Sequence, residues 1–124
     1  MTPPDLQILD RLREAINSHD PVRVAACFTS DFRAEPPHHP ERSFTGPQRV
    51  LANWTNIFAT APHLTATVLR SASNGAEIWS EWEMTEPTAD GPSVRFVGPV
   101  VLTARDGRIA TARFYLDQVD TVPG

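Results

Sequence analysis

Three Asn-Gly or Asp-Gly dipeptides divide the second half of the chain into segments typical of β-strands. They are Asn74-Gly75, Asp90-Gly91 and Asp106-Gly107. Such pairs favour tight hairpin turns, because those turns need a positive φ that asparagine, aspartate and glycine tolerate. The segments around them are rich in β-branched and aromatic residues. They read LTATVLRS, EIWSEWEMT, SVRFVGPVVLTA and RIATARFYLDQV, and they predict four consecutive antiparallel strands.

The first half of the chain spaces its apolar residues as α-helices do. A first helix is predicted to end at about Asn17, with its apolar side at Leu6, Leu9, Leu12 and Ile16. Asp20 and Pro21 are a typical N-cap and first residue for a short second helix, PVRVAACF. A third helix is predicted between Gly46-Pro47 and Ala61-Pro62. Its wide apolar stripe consists of Val50, Leu51, Trp54, Ile57 and Phe58.

The order of elements predicts an α+β fold. A short strand, DFRAEP, precedes the third helix, and the four-strand meander follows it. Helices grouped before a run of strands pack on one face of an antiparallel sheet. The length of 124 residues is that of one ordinary domain, so we predict a single domain over residues 1–124.

Charge and composition exclude several classes of partner. The formal net charge is −4 and no basic cluster runs along the chain, which argues against nucleic acid and anionic membrane surfaces. No apolar run reaches the roughly 20 residues of a membrane-spanning helix. The start of the chain lacks the pattern of a secretory signal, and Cys27 is the single cysteine. These features predict a cytoplasmic protein.

Alternation along the strands predicts which side chains face the helices. The inward sets are Ile78, Ser80, Trp82 and Met84; Phe96, Gly98, Val100 and Leu102; and Ala110, Ala112, Phe114 and Leu116. Glu81 and Glu83 then face outward, with Arg113 and Arg95 as expected cross-strand partners. The alternative is a β-bulge that turns Glu81 inward, where it would serve as an acid or base.

The layout resembles the SnoaL-like polyketide cyclases of the nuclear transport factor 2-like superfamily. The resemblance rests on INSHDPVRVAACFTSDF, FTGPQRVLANWTNIF and DGRIATARFYLD, and it spans nearly the whole chain. It implies a cone in which a curved antiparallel sheet wraps three helices, and a homodimer. It also implies a cavity between sheet and helices, where relatives act as cyclases, ketosteroid isomerases or epoxide hydrolases. Fold alone does not select among these activities.

The best-known catalytic residues of the superfamily are not reproduced. The position of the isomerase base corresponds to Pro36, with Glu35 before it. The catalytic aspartate of the hydrolase motif corresponds to Phe114, between Arg113 and Tyr115. The resemblance therefore predicts the fold more firmly than the activity.

The stretch DFRAEPPHHPERSFTG, residues 31–46, holds the candidate catalytic residues. With Ala34 and Pro36 facing the cavity, continued alternation would bring His38 to the same side, while His39 would point away. Either imidazole titrates near neutral pH and is a candidate base; the alternative is a pair of loop histidines bound to backbone. No metal site and no cofactor are predicted. The predicted ligand-binding residues are Ala34, Pro36, Trp54, Phe58, Trp82, Met84, Phe96 and Phe114.

Three functions remain open at this point. The first is a cofactor-free enzyme of cyclase or isomerase type, which moves a proton on a hydrophobic carbonyl compound. The second is a non-catalytic binding protein for a small apolar or aromatic metabolite. The third is a dimeric interaction module that uses the outer face of the sheet.

Overall fold

The structure, a computed structural model, describes residues 4–88 and 91–119. These residues form three α-helices, a 3₁₀ turn at Pro40–Arg42 and seven strands. The helices are α1 (Pro4–Asn17), α2 (Pro21–Ala25) and α3 (Pro47–Thr60). The strands are β1 (Phe28–Ala34), β2 (Phe44–Thr45), β3 (Thr65–Asn74), β4 (Glu77–Thr88), β5 (Gly91–Arg105), β6 (Arg108–Phe114) and β7 (Asp117–Gln118).

The three predicted helices are present, and two keep their predicted ends. α1 ends at Asn17, and α3 begins at Pro47. α2 is shorter than predicted, although Asp20 caps it by accepting a hydrogen bond from the Val22 N–H at 2.9 Å. No helix in the described part of the chain has both the length and the apolar character needed to cross a membrane.

The sheet is mixed, which corrects the prediction of a wholly antiparallel one. The strand order is β2-β1-β6-β5-β4-β3, and β7 pairs with β5. The meander of β3, β4, β5 and β6 is antiparallel as predicted. β1 pairs with β6 in parallel, and the connection between them contains β2, α3 and the three hairpins that join β3 to β6.

The core lies between the concave face of the sheet and the helices. The largest fully buried side chains are Trp82, Phe32, Ile16, Ile78, Leu102, Ile109 and Val24. In β4, Ile78, Ser80 and Trp82 are buried, so the predicted inward face of this strand is confirmed. In β5, Val100 and Leu102 are buried, as predicted. The helices therefore pack on the sheet face that the alternation selects.

A bulge reverses one predicted face in β6. Thr111 pairs with Thr103, and Ile109 pairs with Ala104, which leaves Ala110 as an extra residue. Beyond an extra residue, the alternation of a strand changes side. As a result Ile109 is fully buried, although it was predicted to face outward. Ala112 and Phe114, on the other side of the bulge, keep the predicted inward face.

A second bulge falls in β3 and leaves the alternation of β4 intact. Val68 pairs with Trp82 and Arg70 pairs with Glu81, so the extra residue is Leu69. Glu81 consequently faces outward, and its carboxylate lies 3.2 Å from Arg70 Nε. The structure thus does not turn Glu81 toward the cavity, and its partner is Arg70 instead of Arg113.

The other outward glutamate of β4 has one of the predicted partners. Glu83 forms a hydrogen-bonded ion pair with Arg95 on β5. Arg113, the alternative partner, lies over the Tyr115 ring, with its guanidinium carbon 5.9 Å from the ring centroid. Both outward glutamates are therefore paired with arginines at the convex surface.

Candidate functional site

Two adjoining cavities open between α3 and the sheet, and they share Trp54, Ile57 and Phe114. The first, here the Arg42 cavity, has a volume of about 380 Å³. Two polar side chains, Arg42 and Asn53, also line it. Its apolar wall adds Phe28, Phe32, Ala34, Pro36, Phe44 and Val50.

The second, here the Glu86 cavity, has a volume of about 470 Å³. Its polar lining residues are Thr60 and Glu86. The rest of its wall adds Ala61, Leu64, Met84, Val94, Phe96 and Leu116. Each cavity therefore combines an apolar wall with one charged side chain, positive in the first and negative in the second.

α3 supplies the wall between the two cavities. Trp54 and Ile57 are three residues apart, so both lie on the side of the helix that faces the sheet. Both are half-buried, and the Trp54 ring contacts the Phe58 ring at a centroid distance of 5.4 Å. The broad apolar stripe predicted for this helix thus exists, but part of it faces open space.

Gly98 fixes the opposite side of the site. A Cβ atom placed there would lie 2.5 Å from the Tyr115 carbonyl oxygen and 2.9 Å from Leu116 Cα. Only glycine lets the backbone between β6 and β7, both of which pair with β5, lie so close to β5. This close approach sets the positions of Phe114 and Leu116, which line the Glu86 cavity.

Six of the eight predicted ligand-binding residues lie around these cavities. Ala34 and Pro36 line the Arg42 cavity, and Met84 and Phe96 line the Glu86 cavity. Trp54 and Phe114 line both. The structure brings these side chains together, while their role in binding a ligand stays a prediction.

The other two predicted ligand-binding residues are placed in the core. Trp82 is 1% exposed, and its Nε1–H donates to Ser80 Oγ at 2.9 Å. The Ser80 hydroxyl in turn donates to the Val100 carbonyl at 2.7 Å. Phe58 is buried and packs edge-to-face on the His19 ring, with centroids 5.5 Å apart. Neither side chain lines the Arg42 cavity or the Glu86 cavity.

The two candidate catalytic histidines are exposed and do not line either cavity. The predicted alternation ends at Pro36, because the chain turns there and the His39 N–H donates to the Pro36 carbonyl at 3.1 Å. The His38 ring meets Tyr115 edge-to-face at 5.6 Å, and His39 Nδ1 lies 3.5 Å from the Glu41 carboxylate. Their catalytic role stays a prediction.

Glu86, the acidic side chain of the site, is not among the residues predicted from the sequence. It continues the inward alternation of Trp82 and Met84, and it pairs with Val94 across the hairpin. Alternation extended by two residues predicts this position, whereas the turn residues from Glu86 to Pro92 predict a connection between strands. Both carboxylate oxygens accept from the His63 N–H, Oε2 at 3.0 Å and Oε1 at 3.4 Å.

Arg42 and Asn53 are also absent from the predicted site residues. Arg42 ends the 3₁₀ turn and Asn53 lies on α3. The position of Arg42 depends on how the proline-rich turn folds back toward the helix, which no periodic pattern predicts. Asn53 lies three residues after Val50 and four before Ile57, so helical spacing places it on the same side of α3. Glu35, for which the sequence predicts Arg33 or Arg42 as a surface partner, has its carboxylate 2.9 Å from the Arg33 guanidinium.

A third cavity, of about 500 Å³, lies between α1, α2 and the turn from β5 to β6. Arg11, Arg23, Arg108 and the half-buried Cys27 contribute to its lining. Burial raises the pKa of the Cys27 thiol, and the charges of Arg11 and Arg23 oppose this only in part. Within residues 4–88 and 91–119, no three His, Cys, Asp or Glu side chains are grouped as a metal site.

Known structures of the same shape belong to several kinds of protein. One is a Jannaschia sp. CCS1 protein, provisionally assigned as a SnoaL-like polyketide cyclase: TM-score 0.75, 18% identity, covering 94% of this chain and 90% of that one. An LEH-like epoxide hydrolase of M. tuberculosis has a TM-score of 0.74 at 19% identity, covering 92% and 83%.

A hypothetical protein from Catenulispora acidiphila DSM 44928 has a ketosteroid isomerase-like fold and was solved in complex with trimethylamine. Its TM-score is 0.73 at 17% identity, covering 93% of this chain and 87% of that one. At these identities the structural likeness establishes the cone-shaped α+β fold. It does not transfer an activity.

Sequence comparison gives the family directly. No curated protein matches the chain. The profile described as the SnoaL-like domain matches residues 9–112, which include all three helices after the first turn of α1 and most of the sheet. The chain therefore belongs to the SnoaL-like domain family.

Proposed function

We propose that this protein binds a small, largely apolar compound in the cavities beside α3. The observation that carries the proposal is the placement of Trp54, Ile57 and Phe114. They face cavities of about 380 and 470 Å³ and are only half-buried. Protein cores are normally close-packed, so large apolar side chains around such a space stand to gain by contact with a ligand.

A protein of similar fold holds a small organic molecule, since the Catenulispora acidiphila protein was solved with trimethylamine. That likeness supports the use of this architecture for ligand binding. At 17% identity, however, the ligand has to be inferred from the cavity of the present chain. The apolar wall favours a ligand whose surface is mainly hydrocarbon.

The test is the affinity for N-phenyl-1-naphthylamine, a neutral apolar dye that becomes fluorescent when it leaves water. We expect saturable binding to the unmodified protein. Trp54→Ala should weaken it about ten-fold, because a large aromatic contact is lost. The control is Leu51→Ala, since Leu51 is an exposed apolar residue of the same helix and lines neither cavity. An affinity that is equal in the two variants would contradict the proposal.

A second candidate function is cofactor-free proton transfer on a hydrophobic carbonyl compound, of cyclase or isomerase type. The specific observation in its favour is Glu86, whose carboxylate lines an apolar cavity. A carboxylate held there is able to take a proton from a carbon acid. His38 and His39 are the earlier candidates for the base, and they follow Pro36, which lines the Arg42 cavity.

Hydrogen–deuterium exchange next to the carbonyl of apolar ketones, followed by NMR, tests this candidate. Proton transfer by the protein would accelerate the exchange above the rate in buffer. Loss of the acceleration in Glu86→Gln would identify the carboxylate as the base, and loss in the double variant His38→Ala, His39→Ala would identify a histidine. If no ketone exchanges faster with the protein present, the enzyme candidate fails and the binding function is unaffected.

A further inference from the structure

Among the described residues, Glu86 has no cationic partner, unlike Glu81 and Glu83 of the same strand. Glu81 and Glu83 face outward and pair with Arg70 and Arg95. Glu86 faces inward, and among the described residues its carboxylate accepts only the His63 backbone N–H. No salt bridge joins it to an arginine in residues 4–88 and 91–119.

One backbone N–H leaves most of the hydrogen-bonding capacity of a carboxylate unused. Two carboxylate oxygens offer about four acceptor sites. The carboxylate is only partly buried, but the wall beside it is apolar. A positive ligand group beside Glu86 would balance the charge of the carboxylate, whether or not it also donates an N–H. Of the side chains that line this cavity, Glu86 is the charged one, so the cavity has a negative character.

The rest of the wall suits a cation with carbon substituents. Trp54, Phe96 and Phe114 place three aromatic rings around the same cavity. Aromatic faces attract cations, and they bind substituted ammonium groups because those groups are weakly hydrated. A primary ammonium has three N–H donors, each of which needs an acceptor. Apart from Glu86, the polar side chain of this wall is Thr60, whose hydroxyl donates to backbone carbonyls of α3 and keeps its lone pairs as acceptors, so most of the wall around the charged group is carbon.

We infer that the ligand of the Glu86 cavity is an organic cation, a tertiary or quaternary amine with an apolar body. The charged nitrogen lies beside the Glu86 carboxylate, and the apolar body extends along Trp54 and Phe114 toward the adjoining Arg42 cavity. The inference rests on the proposed binding function and narrows it to one chemical class.

The experiment compares two compounds of the same shape, phenyltrimethylammonium and tert-butylbenzene. They differ in that a charged nitrogen replaces a carbon atom. Their affinities are measured by ligand-observed NMR titration in the unmodified protein, in Glu86→Gln and in Glu83→Gln. The ratio of the two affinities is compared between the proteins, because the contribution of the compounds' different solubilities in water is the same in each and cancels.

We expect Glu86→Gln to lower the affinity for phenyltrimethylammonium about ten-fold and to change that for tert-butylbenzene less than about two-fold. Glutamine keeps an oxygen that accepts the His63 N–H, so the wall is preserved. Glu83→Gln removes the same charge three residues away on the opposite face, and it should leave the ratio unchanged.

The two proposals fail in different ways. If the neutral compound binds but the ratio is the same in Glu86→Gln and in the unmodified protein, the cation inference is wrong and the binding function stands. The inference is equally wrong if Glu83→Gln shifts the ratio as much as Glu86→Gln does, since the effect would then be one of net charge. If neither tert-butylbenzene nor N-phenyl-1-naphthylamine binds, the proposed function itself is wrong.

Discussion

α1 and α3 are both 14 residues long and both pack on the concave side of the sheet, but they bury very different surfaces. α1 buries Ile8, Leu9, Leu12, Ala15 and Ile16. α3 buries only Val50 and Phe58, while Trp54 and Ile57 face the two cavities. One helix closes the core, and the other leaves room for a ligand. An apolar stripe in a sequence therefore predicts which face turns inward, but not whether that face is packed.

The sharpest test of this comparison uses the same substitution on each helix. Ile16→Ala should lower the free energy of unfolding by about 2–5 kcal/mol, because Ile16 is 1% exposed and its removal leaves a void. Ile57→Ala should cost only about 1 kcal/mol, since its side chain already borders open space. Urea denaturation of both variants measures the difference. Equal losses would mean that α3 packs as tightly as α1.

A homodimer would reduce the difference between the two helices, because a second copy could support the part of the fold around α3 and its cavities. The dimer stays a prediction, and it is supported by two exposed apolar side chains on the convex face, Leu69 at 45% and Trp79 at 50%. We expect the protein to sediment at twice the mass of one chain. Trp79→Glu should shift it toward the monomer, as a charge in an apolar interface is costly. A protein that is monomeric at every concentration would exclude this arrangement.

The smallest expected effect on stability concerns an ion pair between β1 and β5. β1 also forms part of the wall of the Arg42 cavity. Asp31 forms a hydrogen-bonded ion pair with Arg105 and also accepts from Thr29 at 2.8 Å. The hydrogen bond from Arg105, with that from Thr29, lowers the pKa of Asp31. Folding therefore gains stability above the ordinary pKa of an aspartate, and this gain is lost as the pH falls through the lowered value.

Comparing Asp31→Asn with the unmodified protein from about pH 7 down to about pH 3 measures this contribution. The unmodified protein should be slightly more stable at neutral pH, and the two curves should converge in acid. The difference is expected to be small, because the pair is exposed to solvent. A difference that grows in acid would have the wrong sign for a lowered pKa.

Local patterns in the sequence predict most of the fold. The 3.6-residue period and the proline and aspartate signals place α1 and α3, and the alternation of β4 places Ile78, Ser80 and Trp82 inward. Patterns fail where one residue breaks the period. The extra residue Ala110 turns Ile109 inward, and the turn after Pro36 carries His38 away from the predicted face.

The candidate site is less predictable than the fold, because it depends on contacts between distant segments. Six of the eight residues predicted to bind a ligand line the two cavities, as expected from alternation, helix spacing and the family resemblance. Glu86 was missed because the proline after it suggests the end of a strand, whereas β4 continues through Thr88. Proline is tolerated at an irregularity in strand pairing, here between Glu86 and Thr88, so the regular alternation of β4 reaches Glu86.

The parallel pairing of β1 with β6 has a consequence for the order of folding. Phe28 pairs with Ile109, and Ala34 pairs with Ala112, so these contacts join the first third of the chain to its last segment. Contacts between residues so far apart in sequence close large loops and form slowly. During synthesis, β1 leaves the ribosome long before its partner and has to wait as an unpaired edge. The wall of the Arg42 cavity that Phe32 and Ala34 provide is thus completed only when nearly the whole chain is made.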